Sequence, residues 1–282
     1  MTPELDPRIH AVHQERGVVE ARLAAQFPGY RVLHPRQVQA ADQLSLHARP
    51  DEHSPQVTEA LLGEGLEILE ELDGGWAWVR TVHDGYLGYA RTADLLDQGG
   101  GGLQVRVLRA HVYSAPNVQA SVLGRLSFGA ALKVQGEPEQ HGDYSWWRAA
   151  YRDGEGFVRT SATEAQTSLE PLHYLGVPYL WGGRSAWGLD CSGFTQLLVP
   201  GLPRDADQQR DVLPSVKTPQ PGDLAFFPGH VGLMLDDRRM IHANATRMAV
   251  SIDTLGAGDY GRRLERELTG FGRLPIRPGL HP

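Results

Sequence analysis

The chain has 282 residues, with 34 acidic against 27 basic side chains and a formal charge of −7, which argues against a nucleic-acid binder held by bulk positive charge. Hydrophobic residues make up 41% and charged ones 22%, the balance of a folded globular chain rather than a disordered or membrane-embedded one. A single cysteine, Cys191, excludes an intramolecular disulfide and any multi-cysteine zinc site.

The opening run Met1-Thr2-Pro3-Glu4-Leu5-Asp6 is acidic and lacks the roughly 7–15 apolar residues of a secretory leader, so the expected location is cytoplasmic, with secretion as the alternative. No apolar run reaches the roughly 18 residues that a membrane span needs. Asp6-Pro7 followed by Ile9, Val12, Val19 and Leu23 at helical spacing predicts an N-terminal helical segment over residues 1–30. From 31 to 98 short apolar runs such as Leu66-Glu67-Ile68-Leu69 and Trp76-Ala77-Trp78-Val79 alternate with Gly, Pro and Asp, the pattern of a small all-β unit. Gly99 to Gly102 read as a linker.

Residues 103–163 then repeat the preceding unit. A gap-free shift of 68 residues superimposes Trp76, Trp78, Arg80, Gly88, Tyr89, Arg91 and Thr92 on Tyr144, Trp146, Arg148, Gly156, Phe157, Arg159 and Thr160. Two copies of this length suit tandem small barrels better than a stacked array. The shared aromatic pair, glycine, aromatic and Arg-Thr resemble bacterial SH3-like domains. From 164 to 282 the pattern turns α+β: helix-like to Tyr174, a Gly- and aromatic-rich loop, a helix, then β-like runs at Leu224–Phe227, Val231–Leu235 and Met240–His242.

Chemistry concentrates around Cys191. Asp190 is placed to cap the helix that Cys191 opens, where unsatisfied amides and the positive dipole end favour thiolate and can receive an oxyanion. Such a thiol needs a base, and two of the twelve histidines sit on strands. His230 begins one strand and His242 ends the next, with Asp236-Asp237-Arg238 as the turn between them. Their even spacing puts both rings on one sheet face, a Cys-His-His arrangement in which one ring takes the thiol proton and the other orients it.

These residues carry a resemblance. Gly176-Val177-Pro178-Tyr179-Leu180-Trp181-Gly182-Gly183, Gly188-Leu189-Asp190-Cys191-Ser192-Gly193-Phe194, Pro203-Arg204-Asp205-Ala206 with Gln209, Pro221-Gly222-Asp223-Leu224-Ala225-Phe226-Phe227 and Gly229-His230-Val231-Gly232-Leu233 together resemble the NlpC/p60-type papain-like cysteine peptidases. One branch of that family carries two SH3-like domains ahead of the peptidase. The resemblance implies two small SH3-like barrels followed by an α+β papain-like domain. It implies Cys191 as nucleophile, His230 as base and then acid, and His242 as the orienting third member. Tyr179 would help hold the oxyanion, while Asp190 and Ser192 would lie on the substrate side of the nucleophile. Asp205 resembles the group that pairs with the free N-terminal ammonium of L-Ala, and Tyr86 the barrel aromatics that form one wall of the pocket.

The expected activity is cleavage of the γ-D-Glu–diamino acid bond in peptidoglycan-derived peptides with a free N-terminal L-Ala, as in murein recycling. No metal or organic cofactor is expected, and no nucleic-acid or membrane-spanning partner. Two alternatives stay open: a secreted hydrolase of intact wall, and a catalytically idle murein-binding module. A metal site from His230, His242 and Asp223 is a third, disfavoured by the cysteine-helix context.

Overall fold

The structure, a computed structural model, describes residues 5–97, 102–164 and 170–274. Except for Gly102, the glycine linker lies outside the described residues. The chain forms two compact units, one of the residues up to Val105 and from Ala110 to Glu164, the other of Arg106–Arg109 and the residues after Glu164. Among the described residues no helix is long and apolar enough to cross a membrane.

The predicted N-terminal helix is absent. Val12–His13, Val18–Glu20 and Arg31–Leu33 instead form a three-stranded sheet, and only Ala21–Gln26 coils, as a 3₁₀ turn joining two parallel strands. Asp6 does not cap a helix, because its carboxylate accepts from the Arg8 amide at 2.9 Å and from the Arg8 guanidinium. Val18 and Val19 are both fully buried, and β-branched side chains fit a strand covered on both faces better than one stripe of a helix.

The first unit continues with a seven-stranded sheet in the order Leu95–Asp97, Arg36–Ala40, Gly65–Leu72, Trp76–Thr81, Leu87–Arg91, Leu44–His47, Gln56–Ala60. Val38, Leu46, Leu66, Ile68, Val79 and Ala90 make its core. A six-stranded sheet follows in the order Leu103–Gln104, Ala131–His141, Tyr144–Tyr151, Gly154–Arg159, Arg109–Tyr113, Val122–Ser127, which repeats the sequential order of the last six strands of the first sheet. Its hairpin is tighter. Trp78 pairs with Tyr89, whereas Trp146 pairs with Arg159, two residues beyond the counterpart of Tyr89. A slip of two residues preserves the inward face, so the repeat survives it.

The second unit opens at Pro171–Tyr174 as a single 3₁₀ turn where the sequence reads as helix-like; residues 165–169 of that stretch are outside the described residues. Three helices follow: α1 (Cys191–Leu198), α2 (Ala206–Val212) and α3 (Gly258–Glu267). One sheet carries them, from β1 (Ser215–Val216), β2 (Leu224–Phe227), β3 (His230–Met234), β4 (Arg239–Asn244), β5 (Ala249–Thr254) and β6 (Gly270–Gly272), ordered β1-β6-β2-β3-β4-β5. Ala225, Phe227, Met234, Met240, Leu255 and Leu264 form the apolar cluster that seats α3, and α1 packs on β3 and β4.

Candidate active site

Asp190 takes the extended backbone of an N-cap, and its carboxylate accepts the Gly193 amide at 2.7 Å, so Cys191 is the first residue of α1. Gly193 is required there: a Cβ would lie 2.2 Å from the Gly183 carbonyl oxygen, and the helix start could not pack on that loop. The same carboxylate accepts the Gly182 amide at 2.9 Å, the Ser192 hydroxyl, and both terminal nitrogens of Arg204 at 3.0 and 2.6 Å. Arg204 is 1% exposed, so this is a buried bidentate ion pair.

The resemblance puts Asp190 and Ser192 on the substrate side, but their polar atoms are committed inward. Ser192 Oγ also accepts from Arg204 at 3.0 Å, and both residues act as the frame under Cys191. Gln209 completes that frame from α2, donating to the Ser192 and Pro203 carbonyls while accepting the Thr195 hydroxyl.

The two strand histidines meet. His230 Nε2 lies 2.6 Å from His242 Nδ1, with ring centroids 4.9 Å apart. Leu233 pairs with Ile241 and Met234 with Met240, so continued register sets His242 opposite Gly232 and makes the two rings diagonal neighbours on one face. Gly232 keeps that diagonal open, since a Cβ there would stand 3.2 Å from His242 Cβ and 2.8 Å from Met240 Sδ. His242 is fully buried, stacked on Tyr260 of α3 at 6.0 Å and 15°. Its Nε2 lies 3.2 Å from Asp253 Oδ2.

Cys191 sits against the start of β3. The backbone amides of Val231 and Ser192 reach its sulfur and pull the thiol pKa down, but burial and the Asp190 charge outweigh them and push it up to about 12. Burial, His242 and Arg263 push His230 down to about 3. Burial and the Asp190 charge thus oppose the effect of the helix start on this thiol. Tyr179 is half-buried and held by its amide on the Met248 carbonyl at 3.0 Å. Burial, with the charges of Cys191 and Asp190, lifts its phenol to about 12, which keeps it a donor.

Asp205 caps α2, its carboxylate on the Gln208 amide and the Gln208 side chain on the Asp205 amide. Tyr86 is buried within the first unit, its amide donating to Thr81 Oγ1 and Asp84 Oδ1. Asp223, weighed above as a metal ligand, is ion-paired with Arg273 at 2.8 Å and accepts the Gln220 amide.

Residues 176–268 match the model of the NlpC/P60 family, and residues 46–95 that of the bacterial dipeptidyl-peptidase SH3 domain. The chain carries an NlpC/P60 domain and a bacterial SH3 domain. It is 29% identical over 264 residues to dipeptidyl-peptidase 6 of Lysinibacillus sphaericus, covering 82% of this chain and 96% of that protein. It is 34% identical over 134 residues to the γ-D-glutamyl-L-lysine dipeptidyl-peptidase of Bacillus subtilis (strain 168), covering 39% of this chain and 45% of the relative. A crystal structure of an NlpC/P60 family protein from Bacillus cereus shares the fold, at a TM-score of 0.66 and 21% identity over 84% of this chain and 99% of that one. The matched domain is thereby of the cysteine-peptidase class.

Three members of the NlpC/P60 site were not singled out from sequence as parts of it: Arg204 as the buried partner of Asp190, Asp253 behind His242, and Tyr260 beneath it. Only Asp253 left a signal, a carboxylate inside the apolar-alternating run Val250-Ser251-Ile252-Asp253, where burial demands a partner.

The neutral His230 sets an acid stability limit for the domain. Below its ordinary value of 6.5 the unfolded chain binds a proton that the folded form refuses until about pH 3, so stability falls as pH drops through that window. Asp253, held near 2, adds its loss only below the ordinary carboxylate value of 3.8. Urea midpoints measured from pH 7 to pH 4 should decline in the native chain and decline less in His230→Gln; parallel slopes would refute the buried neutral imidazole.

Proposed function

We propose that the protein is a γ-D-glutamyl-L-diamino acid endopeptidase acting on stem peptides whose N-terminal L-Ala is free. The observation that carries this reading is the contact of the two rings, His230 Nε2 to His242 Nδ1 at 2.6 Å, beside a cysteine at the head of its own helix. With Nε2 engaged, Nδ1 of His230 is the nitrogen left for the sulfur.

The chemistry follows as two transfers. The Cys191 thiol gives its proton to His230 Nδ1 as the sulfur attacks the γ-glutamyl carbonyl carbon. The oxyanion forms against the Tyr179 hydroxyl and the amides that open α1. Collapse breaks the C–N bond, and the departing amine of the diamino acid takes the proton from His230. Water then gives a proton to His230 and its oxygen attacks the thioester, releasing L-Ala-γ-D-Glu while the sulfur regains its proton. No step calls on a metal or an organic cofactor.

Asp205 supports the choice of substrate end. It directly follows Arg204, whose guanidinium is bonded to the Asp190 carboxylate that caps the Cys191 helix. Asparagine at this position retains the cap but loses the charge. Asp205→Asn should lower kcat/KM for L-Ala-γ-D-Glu-diamino acid by about 100-fold or more, the usual loss when one partner of a buried charge pair is removed. N-acetylation of the substrate should have a similar effect in the native enzyme and little further effect in the variant. Equal turnover of blocked and free peptides would remove the ammonium subsite.

The second sheet of the first unit is proposed as a further SH3-like copy, a reading that its strand order supports. The free-amine requirement sets the enzyme where sugar-free murein peptides accumulate, the cytoplasm. Turnover of free tripeptide without release from intact sacculi supports that setting; the reverse favours a wall hydrolase.

A further inference from the structure

We propose that Asp253 is a positioning residue that fixes the tautomers of both imidazoles, so that Nδ1 of His230 is the basic nitrogen offered to Cys191; this rests on the cysteine-peptidase reading above. Three groups stand in line. Asp253 Oδ2 lies 3.2 Å from His242 Nε2, and His242 Nδ1 lies 2.6 Å from His230 Nε2.

A neutral imidazole carries one N–H, and an ionised carboxylate only accepts. Asp253 is held ionised by Arg247, which donates to Oδ1 at 3.0 Å, and by the Ser251 hydroxyl, which donates to Oδ2 at 2.9 Å. Facing that carboxylate, His242 carries its proton on Nε2 and presents a lone pair at Nδ1. His230 then donates from Nε2, and its own lone pair is left on Nδ1. The opposite assignment puts a lone pair of a fully buried His242 against a carboxylate, a repulsion that bulk solvent cannot screen at that depth. When His230 accepts the thiol proton, every bond in the line persists, so the step needs no rearrangement behind the ring.

The surroundings keep the line straight. Tyr260 stacks on His242, Arg263 lies 4.9 Å over Tyr260 and donates to Thr246, and Arg247 lies 5.8 Å over the same ring. Ser251, which pairs with His242 across the strands, is itself held by Asn244 Nδ2 at 2.8 Å. The charged and titratable groups facing the His242 ring are thus His230, Asp253, Tyr260 and the two arginines behind them.

The test is ¹⁵N NMR of the histidine ring nitrogens in the full chain near pH 7. It needs neither turnover nor a variant, so its outcome is separate from whether murein peptides are cleaved. The expected spectrum has the proton of both His242 and His230 on Nε2; a His242 protonated on Nδ1 overturns the proposal. Asp253→Asn, whose amide can donate, should move the His242 proton to Nδ1 and lower kcat on free stem peptide roughly 10- to 100-fold with KM within about twofold. Asp253→Glu should recover part of the loss with the native tautomers. A folded Asp253→Asn with native tautomers, or with native kcat, would also overturn it.

Discussion

Cys191→Ala is expected to abolish hydrolysis, lowering kcat by at least roughly 10⁴-fold, while changing the stability of the fold by only about 1 kcal/mol. The two halves of that expectation have different origins. Activity falls because the acyl transfer needs a sulfur: without it neither His230 nor Tyr179 has a covalent intermediate to protonate or stabilise, and positioned water at the same point is a far poorer nucleophile. Stability holds because the frame under the cysteine does not use its side chain. Asp190, Ser192, Arg204, Thr195 and Gln209 bond to one another and to backbone, so alanine deletes one buried sulfur atom and leaves a small void. Comparing kcat and the urea midpoint of the two chains on the same preparation measures both. Retained turnover in the alanine variant would favour the idle-module alternative or a different nucleophile.

The second large effect concerns Arg204. Its guanidinium is 1% exposed and meets Asp190 with two short hydrogen bonds, while the same carboxylate caps α1 and accepts the Gly182 amide. Removing one member of a buried pair leaves the other charged and desolvated, which costs about 3–5 kcal/mol. Arg204→Met should therefore lower the stability of this unit by that amount. It should also reduce kcat, because the cap that sets the Cys191 backbone is left without its counter-ion. Lysine should not rescue it, since a single ammonium cannot match both carboxylate oxygens. Urea denaturation of the full chain provides the comparison, with Asp190→Asn/Arg204→Met as the double variant: it should recover part of the loss, because no uncompensated charge remains. A single variant as stable as the native chain would show that the pair contributes nothing.

Much of the catalytic unit is legible from residue types and spacing. The runs Leu224–Phe227 and His230–Met234 alternate or cluster as strands must, Asp190 precedes an apolar stripe as caps do, and a separation of twelve across a three-residue turn brings His230 and His242 to one face. What escaped was set by tertiary context. Val12, Val19 and Leu23 fit helical spacing, yet Val19 pairs with both Val12 and Val32 in a sheet, and pairing partners distant in sequence decide that choice. The helix start at Cys191 favours thiolate, whereas the burial that opposes it is a property of the packed unit. Arg204 reads as a surface loop charge until its partner across the α1 start is seen. The resemblance gives Asp205 only a subsite role, and its capping of α2 depends on Gln208 three residues on, a box that the sequence does contain.

The central claim is covalent: the sulfur of Cys191, deprotonated by His230, carries the acyl group between the two half-reactions. It is tested most directly by mixing the native enzyme with L-Ala-γ-D-Glu-diamino acid, quenching in acid within one turnover, and mapping the trapped adduct by mass spectrometry. The account predicts the L-Ala-γ-D-Glu acyl group on the peptide that contains Cys191, lost on treatment with hydroxylamine. An acyl group on any other residue would contradict it, as would steady cleavage of the same peptide by Cys191→Ala.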